Sequence, residues 1–183
     1  MADKFYMIRR INFFSGPGAG KSTLAALVFG QLKLLGYSVE LINEYIKQWA
    51  YEKRKLDGFD QLYIYAKQLR LEERVLRENV DLIVSDSPLL LQCYYSSKYN
   101  FKAYSQLFEL SQLFDKEYPP LNLFLKRHEG VYETNGRFQN LQEAKNVDKE
   151  LKDYLDQNNI SYIEVDNNVD AILDKIKEFV NRK

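Results

Sequence analysis

Short apolar runs alternate with stretches of helical period along the whole chain, which is the phrasing of an α/β domain. Residues 8–14 read as a first strand, followed by a glycine-rich turn and a helix over residues 23–35 that Gly36 closes. Residues 39–42 form a second short strand. Residues 44–51 read as helical, and residues 59–80 as a longer helix with Leu62, Ala66, Leu69, Leu76 and Val80 near one face. Within residues 81–86, Leu82, Ile83 and Val84 make an apolar run suited to a strand buried on both faces. Pro88 stands where a helix can begin, and Tyr104, Leu107, Phe108 and Phe114 mark another that Pro119 and Pro120 end.

Residues 121–125 are a further buried strand. Residues 126–136 are polar, carry two glycines and show no apolar period, so they read as a mobile loop. Leu141, Ala144, Val147, Leu151 and Leu155 set the next helix, residues 160–165 a last strand, and Val169, Ile172, Leu173, Ile176 and Val180 the closing helix. Five strands separated mostly by helices predict a parallel sheet with right-handed crossovers in a three-layer α/β/α arrangement. Ligands of such sheets sit at the carboxyl ends of the strands. At 183 residues the expectation is a single domain over residues 1–183.

Candidate chemistry starts at Ser15-Gly16-Pro17-Gly18-Ala19-Gly20-Lys21-Ser22, between the first strand and the first helix. This is a Walker A loop in the right context. Its glycines let consecutive N–H groups turn inward around phosphate oxygens, the helix N-terminus adds its dipole, and Lys21 adds a point charge. Gly16, Gly18, Ala19, Gly20, Lys21, Ser22 and Thr23 are therefore the expected nucleotide-binding residues, with Ser22 as a magnesium ligand through its hydroxyl. Ser15 stands where the pattern has its first glycine, and the neighbouring Gly16 and Gly18 keep the loop permissive.

With this loop the chain resembles the P-loop nucleoside and nucleotide kinases. The resemblance is to small bacterial and phage kinase-like proteins related to the nicotinamide riboside kinase domain and, more weakly, to deoxynucleoside kinases. It implies a P-loop NTPase fold, ATP as donor, Mg2+ as cofactor, and a nucleoside, nucleotide or nicotinamide riboside-like acceptor. Asp86 ends the third strand, where a Walker B aspartate or the acid of an Asp-Arg-Ser-like motif would stand; Ser87 and Pro88 follow, so that arginine is missing. The competing reading of Asp86 is a helix N-cap. Glu44, with Trp49 five residues on, is similar to the Glu-Pro-x-x-x-Trp signature of deoxynucleoside kinases without its proline. The resemblance makes Glu44 the general base for the acceptor hydroxyl; otherwise it is an acid favoured by a helix start.

Gln61, Tyr65, Gln68 and Arg70 lie on the helix that carries acceptor contacts in those kinases. The loop over residues 126–138 resembles their lid, with Arg127 and Arg137 as the candidates that meet phosphate charge. Lys21, Glu44, Asp86, Arg127 and Arg137 thus form the expected catalytic set, and Ser22 and Asp86 the metal pair.

Composition narrows the alternatives. The 26 basic and 26 acidic residues cancel and are interspersed, which argues against duplex nucleic acid as an obligatory partner, although a local basic groove stays open. Tyr94, Tyr95 and Tyr99 near Lys98 and Lys102 are where such a single-strand groove would lie, or else they pack. The one cysteine, Cys93, and the one histidine, His128, leave neither an internal disulfide nor a Cys- or His-based zinc cluster, and a reducing cytoplasm fits. No apolar run approaches the roughly 20 residues that span a bilayer. The leading expectation is a small-molecule kinase. A partner-dependent regulatory NTPase and a polynucleotide kinase are the alternatives, and oligomeric state is open, a homodimer included.

Overall fold

A computed structural model gives the architecture and describes residues 8–78, 80–128 and 140–180. The elements run β1 (Arg10–Phe14), α1 (Lys21–Leu34), β2 (Val39–Ile42), α2 (Lys47–Tyr51), α3 (Gly58–Leu76), β3 (Leu82–Ser85), α4 (Leu89–Lys98), α5 (Tyr104–Glu117), β4 (Pro120–Leu125), α6 (Leu141–Gln157), β5 (Ile163–Val165) and α7 (Val169–Val180). The strands form one sheet of order β2-β3-β1-β4-β5, and every pairing is parallel. This is the α/β sheet with flanking helices that the alternating pattern predicts.

Strand residues alternate between the two faces with the period of two. Ile11, Phe13, Leu82, Val84, Leu121, Leu123 and Leu125 pack with Leu24, Val28 and Leu32 of α1 and with Ile172 and Ile176 of α7. On the other face Ile83 meets Tyr65, Leu89, Cys93 and Phe114, while Phe14 and Phe124 meet Val147, Leu151 and Leu155 of α6. Covering both faces is why the strands read as continuous apolar runs.

The second face is not wholly apolar. Arg10 and Asn12 share it with Phe14, and Arg10 is fully buried against Glu72 of α3, its Nε 3.0 Å from the carboxylate. Arg10 also pairs with Asp115 of α5 and lies 4.7 Å from the centre of the Phe114 ring. Gln68 Nε2 and Ser85 Oγ donate to the other oxygen of Glu72, each at 3.4 Å.

This polarity corrects the predicted face of α3. Leu62 is 47 % exposed, whereas Gln61, Ile64, Tyr65, Gln68, Glu72 and Leu76 are buried, because α3 faces the polar positions of β1 and β3. Boundaries also move, including that of β5, which starts at Ile163 and not at residue 160. α3 stops at Leu76, short of Val80; β1 starts at Arg10; and α2 starts at Lys47, which leaves Glu44 in the connection after β2. Gly36, with φ of +89°, closes α1 as expected. Capping boxes start α3 at Asp57 and Asp60, and α6 at Asn140 and Glu143.

Candidate functional site

Register places the candidate residues at one edge of the sheet. Asn12, Ser85 and Ile42 are aligned across β1, β3 and β2, so Ser15, Asp86 and Glu44 emerge together at the carboxyl ends. The Asp86 N–H donates to Ile42 O at 3.4 Å, which ties the end of β3 to the start of the Glu44 connection. On the far side of β1, Phe14 aligns with Phe124 and Leu125 with Val165, so Arg127 and Asn167 emerge beside the glycine-rich loop.

Residues 15–20 wrap from β1 into α1. Gly18 and Gly20 adopt φ of +75° and +98°, backbone that a side chain would strain. α1 begins without a side-chain cap or an acidic residue in its first turn, which leaves its N–H groups and positive dipole end for an anion. Ser22 and Thr23 are exposed there. Lys21 Nζ folds back onto the loop, donating to Ser15 O at 2.7 Å and Gly16 O at 3.1 Å.

Charge at this edge is concentrated. Burial pushes the Lys21 ammonium below its ordinary pKa, and the carboxylates of Glu44, Asp86 and Asp148 oppose that fall. Burial raises the Glu44 carboxyl above the usual carboxylate range against the pull of Lys21, with Asp86 raising it further. Glu44 is not in the first turn of α2, so the helix dipole does not account for it. Asp86 is no N-cap either. Pro88 holds that position in α4, and Asp86 Oδ1 is buried without a hydrogen-bond partner. An orphaned carboxylate oxygen at the edge that also carries the exposed Ser22 hydroxyl is a donor set that fits a hard divalent cation. Among the described residues there is no cluster of three or more His, Cys, Asp or Glu that would hold a metal without further ligands.

An aromatic group follows Glu44 in the chain. Trp49 and Tyr63 stack with centroids 6.0 Å apart, Tyr45 meets both edge-on, and Arg54 lies 3.5 Å over the Trp49 ring. Of the expected acceptor contacts, Tyr65 is buried and hydrogen-bonded to Ser111, Gln68 donates to Glu72, Gln61 is buried, and Arg70 is exposed and paired with Glu73. Tyr94 packs between α4 and α6, its hydroxyl donating to Glu150 at 2.7 Å. Arg137 and most of the expected lid lie outside the described residues.

Arg127 is described, and its partners are on the loop side. Its Nε donates to Asp148 Oδ2 at 2.6 Å and its Nη2 to Pro17 O at 2.8 Å. Asp148 Oδ1 accepts from Gly16 N–H at 2.5 Å. Asn167, after β5, donates from Nδ2 to Ala19 O at 3.0 Å and from its backbone to the exposed His128 at 3.3 Å. Asp148 and Asn167 were not singled out from the sequence.

A family model described as an AAA domain matches residues 10–171. The chain belongs to that family of AAA domains. No curated protein matches it. Among solved structures, this AAA domain is similar to a NadR protein in complex with NR, with TM-score 0.74 and 14 % identity over 98 % of this chain and 53 % of that one. It is likewise similar to a NadR protein in complex with NAD and AMP-PNP, with TM-score 0.72 and 12 % identity over 98 % of this chain and 51 % of the other. The domain thus has the fold of P-loop nucleotide-binding proteins and spans about half the length of the NadR chains it matches. Among the described residues no helix is long and apolar enough to cross a membrane.

Proposed function

We propose that this single domain binds ATP with Mg2+ and transfers the γ-phosphoryl group to a hydroxyl of a small nucleoside-, nucleotide- or nicotinamide riboside-like acceptor. The observation that carries the reading is the convergence of Ser15, Glu44 and Asp86 at the carboxyl ends of β1, β2 and β3, beside the uncapped helix start that bears Lys21.

In this reading the N–H groups from Gly18 to Thr23 hold the β- and γ-phosphates, and Lys21 leaves its own loop carbonyls to meet them. Ser22 and Asp86 would hold the cation, which supplies charge neutralisation on the phosphate oxygens. Glu44 accepts the proton of the acceptor hydroxyl. That oxygen bonds to the γ-phosphorus as the β–γ bridging bond breaks, and ADP leaves with the bond's electron pair. A carboxyl with a raised pKa is a better base near neutral pH than an ordinary one. Tyr45 and Tyr63 are proposed as aromatic contacts for the acceptor's ring, Trp49 being buried and already in contact with Tyr63 and Arg54. Arg137 is the arginine proposed to meet phosphate charge from the lid side, Arg127 being engaged with Asp148 and Pro17 O, and a reducing cytoplasm is the proposed setting.

The test is ADP release from Mg-ATP by purified protein, with Lys21→Ala as control, across nucleosides, deoxynucleoside monophosphates, nicotinamide riboside and a short oligonucleotide. Stimulation by one small acceptor is expected. Acceptor-independent turnover would instead favour a partner-dependent NTPase, and salt-sensitive stimulation by the oligonucleotide a polynucleotide kinase.

A further inference from the structure

Three elements converge on Gly16. A Cβ there would lie 2.5 Å from Ala144 O, 2.9 Å from Asp148 Oδ1 and 3.2 Å from Arg127 Nη2, so α6, the end of β4 and the P-loop are in direct contact. The capping box at Asn140 fixes where α6 starts, and the burial of Val147 and Leu151 fixes its rotation. Ala144 and Asp148, one turn apart, then face the loop together.

Gly16 is held at both of its polar atoms. Its N–H goes to Asp148 and its carbonyl receives Lys21. Arg127 adds the neighbouring carbonyl, Pro17 O, and fastens Asp148 by its second oxygen. Both charged side chains are mostly covered, at 11 % and 17 % exposure, so these are charge-assisted bonds shielded from water.

We propose that Asp148 and Arg127 are positioning residues, a clamp that holds the first turn of the P-loop in its phosphate-binding shape, and that Arg127 acts on the Pro17 carbonyl and not on the transferred phosphoryl group. The proposal rests on the nucleotide-binding reading above. It gives Asp148 a role, and it leaves the charge of the reacting phosphoryl group to other cations. Asparagine at position 148 could still accept from Gly16, but its amide would present N–H groups to the Arg127 guanidinium. Lysine at position 127 keeps the charge and loses the planar fork that reaches two acceptors at once.

The experiment compares wild type, Asp148→Asn, Arg127→Lys, Arg127→Ala and the Asp148→Asn/Arg127→Ala double variant. It reads the Mg-ATP dissociation constant, kcat at saturating ATP with the acceptor that gives turnover, and the Gly16 amide proton shift by NMR. A clamp predicts that each single variant weakens ATP binding by about 10- to 100-fold, the cost of misplacing binding groups by about 1 Å. The double variant should be no worse than the worse single, since both side chains serve one contact. It also predicts kcat within about threefold of wild type and an upfield move of the Gly16 proton in Asp148→Asn while the spectrum stays dispersed.

A kcat loss of about 10³-fold in Arg127→Ala with unchanged ATP affinity, beside a wild-type-like Asp148→Asn, would make Arg127 a phosphate-contacting arginine and overturn the clamp. Wild-type protein that binds ATP as tightly as Asp148→Asn would overturn it as well. Wild-type protein that binds no nucleotide would overturn the nucleotide reading itself, a separate outcome read from the wild type alone.

Discussion

Two glycine-to-alanine substitutions should have opposite effects. At Gly16 the added carbon would stand 2.5 Å from Ala144 O, a backbone atom in the first turns of α6. Close carbon–oxygen contacts settle near 3.3–3.6 Å, so the P-loop or α6 must retreat by about 0.8–1.1 Å. Overpacking of that kind costs about 1–3 kcal/mol, and a shift of about 1 Å in groups that position a ligand costs about 10²-fold in function. Gly30 lies in the interior of α1 and its Cβ would meet nothing within 4 Å. There alanine removes helix-breaking flexibility and should stabilise by about 0.5–1 kcal/mol, a rise of roughly 1–4 °C in melting temperature. Thermal unfolding and Mg-ATP titration calorimetry of both variants are the assay. Gly16→Ala is expected to melt lower and bind at least about tenfold more weakly, and Gly30→Ala to melt higher with unchanged binding. Wild-type affinity in a folded Gly16→Ala protein would refute the packing argument.

Lys21→Ala should abolish turnover while leaving the circular dichroism spectrum unchanged; retained turnover would remove the P-loop lysine from the mechanism. The pH profile of kcat/KM should be a narrow bell. Glu44 must be deprotonated and its pKa is raised, so the acid limb falls above the ordinary 4.5; Lys21 must be protonated and its pKa is lowered, so the alkaline limb falls below 10.5. Glu44→Gln should slow transfer far more than ATP binding, erase the acid limb and move the alkaline limb further down, because Lys21 loses its foremost carboxylate support; an unchanged acid limb would remove Glu44 as the base. Glu72→Ala strands the buried Arg10 with Asp115 as its remaining carboxylate and should cost about 3–5 kcal/mol in urea unfolding, against under about 1 kcal/mol for Arg70→Ala in the exposed pair with Glu73.

How much could be read in advance depended on whether a residue's role is written in its neighbours along the chain. The P-loop is local, eight consecutive residues between a strand and a helix, and its conformation follows from their types. The strands were legible because burial on both faces makes them largely apolar, with Arg10, Asn12 and Asn122 as buried exceptions. The inner face of α3 was not, since Glu72 is buried against Arg10 and Ser85 of the sheet, with Gln68 donating to it. Nor was the start of α2, where the chain turns through Tyr45 and Ile46 before the helix and frees Glu44 from it. Asp148 carried no signal at all. It sits on an amphipathic helix among Lys149, Glu150 and Asp153, and what separates it from them is one rotation of α6 towards a loop more than a hundred residues away.

That long-range contact bears on how the edge of the sheet works as a whole. β1 stands in the middle of the order β2-β3-β1-β4-β5, so the loop that follows it has neighbours on both sides. Towards β3 and β2 stand the carboxylates Asp86 and Glu44, one with an orphaned oxygen and the other with a raised pKa. Towards β4 and β5 the side chains bond the loop itself, with Arg127 on Pro17, Asp148 on Gly16 and Asn167 Nδ2 on Ala19, while Asn167 Oδ1 has no partner. Groups whose bonding is satisfied fix geometry, and groups left unsatisfied are the ones available to a cation, a proton or a substrate. The chemistry is therefore expected on the β2–β3 side and the rigidity on the β4–β5 side. Substitutions should divide the same way, with Asp86→Asn and Glu44→Gln falling on kcat, and Arg127, Asp148 and Asn167 variants falling on the affinity for ATP.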